Sequence, residues 1–177
     1  DIIAGLAASQ YPETTLRRYV DALILIGPDA ISSLANALSH TSPQVRSGAV
    51  LTLGTSGKSA GHLVPKIITL LDDKDAFVRA SAAEALGKLG PAARAAAPIL
   101  AGKLNDAVSR VRAAAVGGLG KTAGDDVTYA ALFATALNAD EASVRIAATR
   151  VLSKLPAIAT AAAENLVAAL VDKDEHV

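Results

Sequence analysis

The chain has 177 residues, no cysteine, seventeen basic against seventeen acidic side chains, 51% hydrophobic residues and only 3% aromatic ones. Without cysteine there is no disulfide framework, thiolate metal site or cysteine nucleophile, and the compartment, cytoplasm or periplasm, stays open. The charge balance removes the usual basis for binding nucleic acid or an anionic membrane surface and favours a protein partner.

The first residues, Ile2 to Ala8, are apolar but lack the basic leader and the length of a signal peptide. No apolar run approaches the roughly 18 residues of a spanning helix, so no membrane insertion is expected. Beyond them, Leu38, Leu71, Leu104, Leu137 and Leu170 stand 33 residues apart. Arg46, Arg79, Arg112 and Arg145 keep the same step, each preceded by a valine (Val45, Val78, Val111, Val144). So do Ala49, Ala82, Ala115, Ala148 and Leu53, Leu86, Leu119, Leu152. A fixed period of this length marks stacked supersecondary units, which predicts one all-α superhelix of about five helix pairs. The units run approximately over 7–37, 38–70, 71–103, 104–136 and 137–169, with partial units at 1–6 and 170–177. Ile2 and Leu6 read as the tail of a helix, the chain stops at Val177 one residue before the ladder arginine, and Asp1 stands where Met would begin. Together these predict a segment of a longer protein.

Within the unit 71–103, Val78, Ala82, Ala85, Leu86 and Leu89 recur at helical spacing behind Asp75, a good N-cap, and define helix A. Gly90 and Pro91 then make a corner, since glycine tolerates a positive φ and proline opens a following helix. The four-residue pairs Ile67 with Leu71, Leu100 with Leu104, Phe133 with Leu137 and Leu166 with Leu170 define helix B. Pro65 and Pro98 restrict its start, because proline fits only a first turn or a kink. The column Gly54, Gly87, Gly120 costs about 1 kcal/mol per residue inside a helix, which calls for close backbone contact with a neighbour.

The run FVRASAAEALGKLG, residues 77–90, with its valine-arginine pair followed by alanines and two leucine-glycine steps, resembles the HEAT-like repeats of phycobilisome lyases. The resemblance extends over nearly the whole chain and weakens at LRRYVDALILIGP, which has no aligned Val-Arg pair. It implies an alpha-solenoid in which helix B lines the concave side. The family's repeats occur in lyase subunits, adaptors and many bacterial proteins.

The arginine column is expected to be structural. Asp73 and Asp106 precede Arg79 and Arg112 by six residues, Asp172 shares their column, and acids at such loops can pair with an arginine of the adjacent unit. His40, His62 and His176 offer no metal-ligand spacing with carboxylates, and Asp72, Asp73 and Asp75 read as helix capping, so neither a metal site nor a cofactor is expected. GTSGKS at 54–59 lacks the first glycine of a phosphate loop and falls at a corner. With Ile67 and Leu71 buried, a step of about 100° places residues 62, 65, 66 and 69 outward, as well as their equivalents in the next three units. These read His62, Pro65, Lys66, Thr69; Ala95, Pro98, Ile99, Gly102; Thr128, Ala131, Leu132, Thr135; and Ala161, Glu164, Asn165, Ala168. Lys66 is their one lysine or arginine. The predicted contact residues are His62, Lys66, Thr69, Ile99, Leu132, Thr135 and Asn165, with Ile99 and Leu132 as anchors. Phe77 adds to them, as an exposed contact or tucked against a neighbouring loop.

The resulting expectation is a non-catalytic scaffold that binds a partner protein, or another domain of its own chain, through the helix B face. The alternative implied by the resemblance is a subunit of a bilin-lyase-type enzyme. A DNA-handling solenoid of the alkylpurine-glycosylase kind ranks last, for want of cations on helix B.

Overall fold

A computed structural model describes residues 28–164. The helix A expected in the first unit, both terminal partial units, and Asn165, Ala168, Asp172 and His176 lie outside that range.

Every regular element among the described residues is helical, and they alternate in role. The B helices are α1 (Pro28–Ala37), α3 (Val64–Thr69), α5 (Ala97–Gly102) and α7 (Ala130–Leu137). The A helices are α2 (Pro43–Thr55), α4 (Ala76–Leu89), α6 (Ser109–Ala123) and α8 (Ala142–Leu152). A further helical stretch covers 156–164.

Helix B is shorter than the leucine spacing suggests. Its α-helical part in α3 and α5 begins only at Val64 and Ala97, with Pro65 and Pro98 in the first turn, where a missing N–H costs nothing. The corner from helix A to helix B is a 3-10 segment, Gly57–Leu63 and Gly90–Ala96 in two units. Both helices also tighten into 3-10 turns at their ends, Leu70–Asp72 and Lys103–Asn105, so Leu71 and Leu104 sit in those turns. Gly90 closes α4 with φ 58° and ψ −131°, a conformation essentially reserved for glycine. In the next unit helix A is one residue longer, the corner glycine is Gly124, and the 3-10 segment contracts to Val127–Tyr129, which restores the period.

The ladder columns form the core. Val45, Val78, Val111, Val144 and the four column alanines are buried, as are Leu53, Leu86 and Leu119, while Leu152 is half-buried. Leu38 and Leu71 are buried, whereas Leu104 and Leu137 are half-buried. The core has no centre; it runs as a continuous stripe from unit to unit. One column, the residue before helix A, shows how far a repeat tolerates variation. Ser42, Asp75, Val108 and Glu141 all adopt extended backbone there, yet only Asp75 caps its helix, accepting the amides of Phe77 and Val78.

Candidate functional site

Two constructions stand out: a row of arginine clasps along the inter-unit loops, and a groove on the A helices. Each clasp starts with a column arginine holding the loop ahead of its own helix. Arg46 Nη1 donates to the carbonyls of His40 and Thr41, Arg79 to Asp73 and Lys74, Arg112 to Asp106 and Ala107, and Arg145 to Ala139 and Asp140. The rest of the guanidinium reaches forward. Arg46 donates from Nε and Nη2 to the two oxygens of Asp73, both at 2.7 Å, and Arg79 makes the same fork with Asp106 at 2.8 and 2.9 Å. Two parallel bonds to one carboxylate are the strongest form such a pair takes. Asp73 and Asp106 also accept the amides of Asp75 and Val108, which fixes the loop that leads into the next helix A. In the following unit Ala139 holds the acid column, and Arg112 pairs instead with Glu141.

Burial sets the weight of these pairs. Arg46 and Asp73 side chains are each 8% exposed, Arg79 and Asp106 15% and 8%, and Glu141 42%. Burial pushes the Asp73 carboxyl up, but the bonds from Arg46 and the Asp75 amide, with the charges of Arg46 and Lys74, bring it below the ordinary aspartate range. The Arg79 hydrogen bond is the main reason Asp106 lies low, against the upward push of burial. Glu141 is held low chiefly by Arg112.

The A helices stack almost backbone to backbone. A Cβ at Gly54 would come within 2.7 Å of Ala85 Cα, one at Gly87 within 2.9 Å of Gly118 Cα, and one at Gly120 within 2.4 Å of a Val151 methyl. Each column glycine thus faces the residue 31 positions later. The short B helices instead pack on the A helices and corners, with little contact along their own row. The A helices are therefore the closely packed row, and the columns of small residues that permit this approach are on helix A.

A cavity of about 660 Å³ opens on this A row between α4, α6 and α8. Ala113 and Gly117 lie in its middle, and its charged lining is Lys121, Arg150 and Lys154. Phe77 lies on the same row, 43% exposed, and the guanidinium of Arg110 sits 4.4 Å from its ring centre, so a cation from the next unit covers it where a loop was one of the expectations. Ile146, 50% exposed on α8, was not anticipated. The cationic lining was also missed, although Lys88, Lys121 and Lys154 keep the 33-residue step and were legible as a column.

The helix B positions lie on the other side. His62, Lys66, Thr69, Ile99 and Thr135 are exposed, as are Pro65, Ala95, Pro98, Gly102, Thr128, Ala131 and Glu164. Thr69 and Thr135 hydroxyls donate back to carbonyls of their own helices, those of Lys66 and Ala131. Leu132 is half-buried, with part of its side chain packed against the core. Ala161 is half-buried too. Among the described residues no group of three or more His, Cys, Asp or Glu could hold a metal ion, and no helix is long and apolar enough to cross a membrane.

Residues 31–120, just over half of the chain, match the family described as HEAT repeats. The chain belongs to the HEAT-repeat family. No match is found among curated protein sequences. Among solved structures, the fold is similar to that in the complex of CpcE and CpcF of phycocyanin lyase from Nostoc sp. PCC7120. The TM-score is 0.71 at 22% identity, covering 85% of this chain and 95% of that one. An engineered protein solved by crystallography is similar at a TM-score of 0.61 and 20% identity, covering 96% of this chain and 87% of the other. At these identities the likeness establishes the HEAT-like, all-α solenoid fold.

Proposed function

We propose that this HEAT-repeat segment is a non-catalytic scaffold whose groove on the A helices holds a partner protein or another domain of its own chain. The observation that carries this reading is the open cavity between α4, α6 and α8, on a row that also exposes Phe77 and Ile146. Exposed apolar side chains beside a concave surface are a common basis of protein recognition. The likeness to a two-subunit complex supports a protein partner. The helix B side, with Ile99 exposed among small and polar residues, is a second contact surface.

Site-specific photo-crosslinking in cells tests the groove. A benzophenone side chain at Ala113, in the groove, should yield a discrete protein adduct, and one at Ala131, on helix B, should not. The Gly117→Leu substitution, which fills the groove, should remove the adduct. Absence of any adduct at Ala113, or an adduct indifferent to Gly117→Leu, overturns the assignment.

The likeness to the CpcE and CpcF complex favours one second reading, a subunit of a bilin-lyase-type enzyme. Incubation with bilin and an apo-phycobiliprotein decides it: attachment at the uncatalysed rate, alone and with candidate partner subunits, rejects the lyase.

A further inference from the structure

The cavity that carries the partner-binding reading has a chemistry of its own. Its charged lining is Lys121, Arg150 and Lys154, with no acidic residue. None of the three pairs with an acid among the described residues. Lys88, Arg94 and Lys103, by contrast, are matched by Glu84, Asp126 and Asp72. Arg150 stands in the last turn of α8 and Lys154 in the turn just after it, and both line the same cavity. Lys121 lies one repeat before Lys154, so the positive groups span neighbouring units along the groove.

Gly117 is the second observation. It sits inside α6, where glycine costs about 1 kcal/mol relative to alanine. Gly54, Gly87, Gly118 and Gly120 each face a neighbour that leaves no room for a Cβ, but a Cβ at Gly117 would meet nothing within 4 Å. Packing inside the chain therefore does not require glycine there, and its lack of a side chain keeps the middle of the cavity open. The equal numbers of basic and acidic residues in the whole chain make this a local cluster and not part of a general polycation. That distribution suits a short carboxylate-bearing segment better than a long phosphate backbone.

We infer that the groove takes an acidic segment of a partner protein, with its carboxylates paired to Lys121, Arg150 and Lys154 and its backbone lying over Gly117. This rests on the partner-binding reading and specifies its chemistry. Binding of a fluorescein-labelled glutamate-rich peptide to the full chain, followed by anisotropy, provides the test. Its comparison probes are a glutamine analogue of the same length and a single-stranded oligonucleotide. The glutamate peptide should bind, and the glutamine analogue should bind roughly tenfold or more weakly. Lys121→Glu with Lys154→Glu should cause a similar loss, as should Arg150→Gln alone, while Lys66→Glu on the opposite side should change little. Circular dichroism melts confirm that each variant is folded. Equal binding of the glutamate and glutamine peptides, or equal loss from Lys66→Glu, overturns the inference. So does an oligonucleotide that binds more tightly than the peptide with the same dependence on Lys121 and Lys154, which would assign the cluster to phosphates. The Ala113 crosslink separates the two levels: its persistence in the Lys121→Glu, Lys154→Glu variant keeps the groove as a partner site and rejects only the acidic chemistry.

Discussion

The A row and the B row arise from the same repeat but are held by different means. Along the A row, glycine and alanine columns bring backbones into contact, and buried arginine forks bridge successive units at the loops leading into these helices. Along the B row, α3 and α5 have only six α-helical residues each, end in 3-10 turns and lean on the A helices. In this stack spacing follows from residue size: the row with the smaller side chains is the more closely packed one. The groove with its exposed cations lies on this A row.

Breaking a buried fork should separate the rows most sharply. Asp73→Ala strands Arg46 in a nearly closed site and should cost about 3 kcal/mol or more in denaturant unfolding, because an uncompensated buried charge remains. The same pairs set an acid limit. The Asp73 and Asp106 carboxyls lie below their ordinary range in the folded chain. Their contribution is therefore complete above the unfolded value of about 3.9 and is lost as pH falls through the lower folded values. The unfolding midpoint should lose this contribution only as pH falls below about 4, with a shallower drop there in Asp73→Ala; an identical slope would show that this carboxyl does not carry the effect.

Next in size is a contrast between adjacent glycines. A Cβ at Gly118 would lie 2.6 Å from the Ala83 carbonyl oxygen, so Gly118→Ala must push α4 and α6 apart and should destabilise by about 1–3 kcal/mol. Gly117→Ala, one residue earlier, should instead stabilise by up to about 1 kcal/mol through helix propensity. Thermal melts that shift both variants in the same direction would contradict the backbone-contact account of the A row. The smallest effect belongs to the B row. Ile99→Asp, at an exposed position, should change stability by no more than about 0.5 kcal/mol. Leu132→Asp in the neighbouring unit should cost clearly more, since Leu132 packs on the core. Equal losses at the two positions would mean that Ile99 too is part of the packing.

Much of this architecture can be read in one dimension, because a repeat writes each packing position several times. The 33-residue step, the paired helices, the Asp75 cap, the glycine at the corner and the fit of the chain to a HEAT-like solenoid all follow from columns of residue types. Which carboxylate meets which guanidinium is partly legible: Asp73 and Asp106 stand in a column, but Glu141 joins Arg112 only because Ala139 leaves that partner missing and the chain passes within reach two residues later. Which side chains converge on one cavity is not legible in the same way. It depends on how closely the A helices stack, with Gly54, Gly87 and Gly120 set against residues of the following unit. The tertiary structure therefore decided that Lys121, Arg150 and Lys154 line one groove while Ile99 is exposed outside it, since the convergence of side chains is a property of stacked units and has no counterpart in a single repeat.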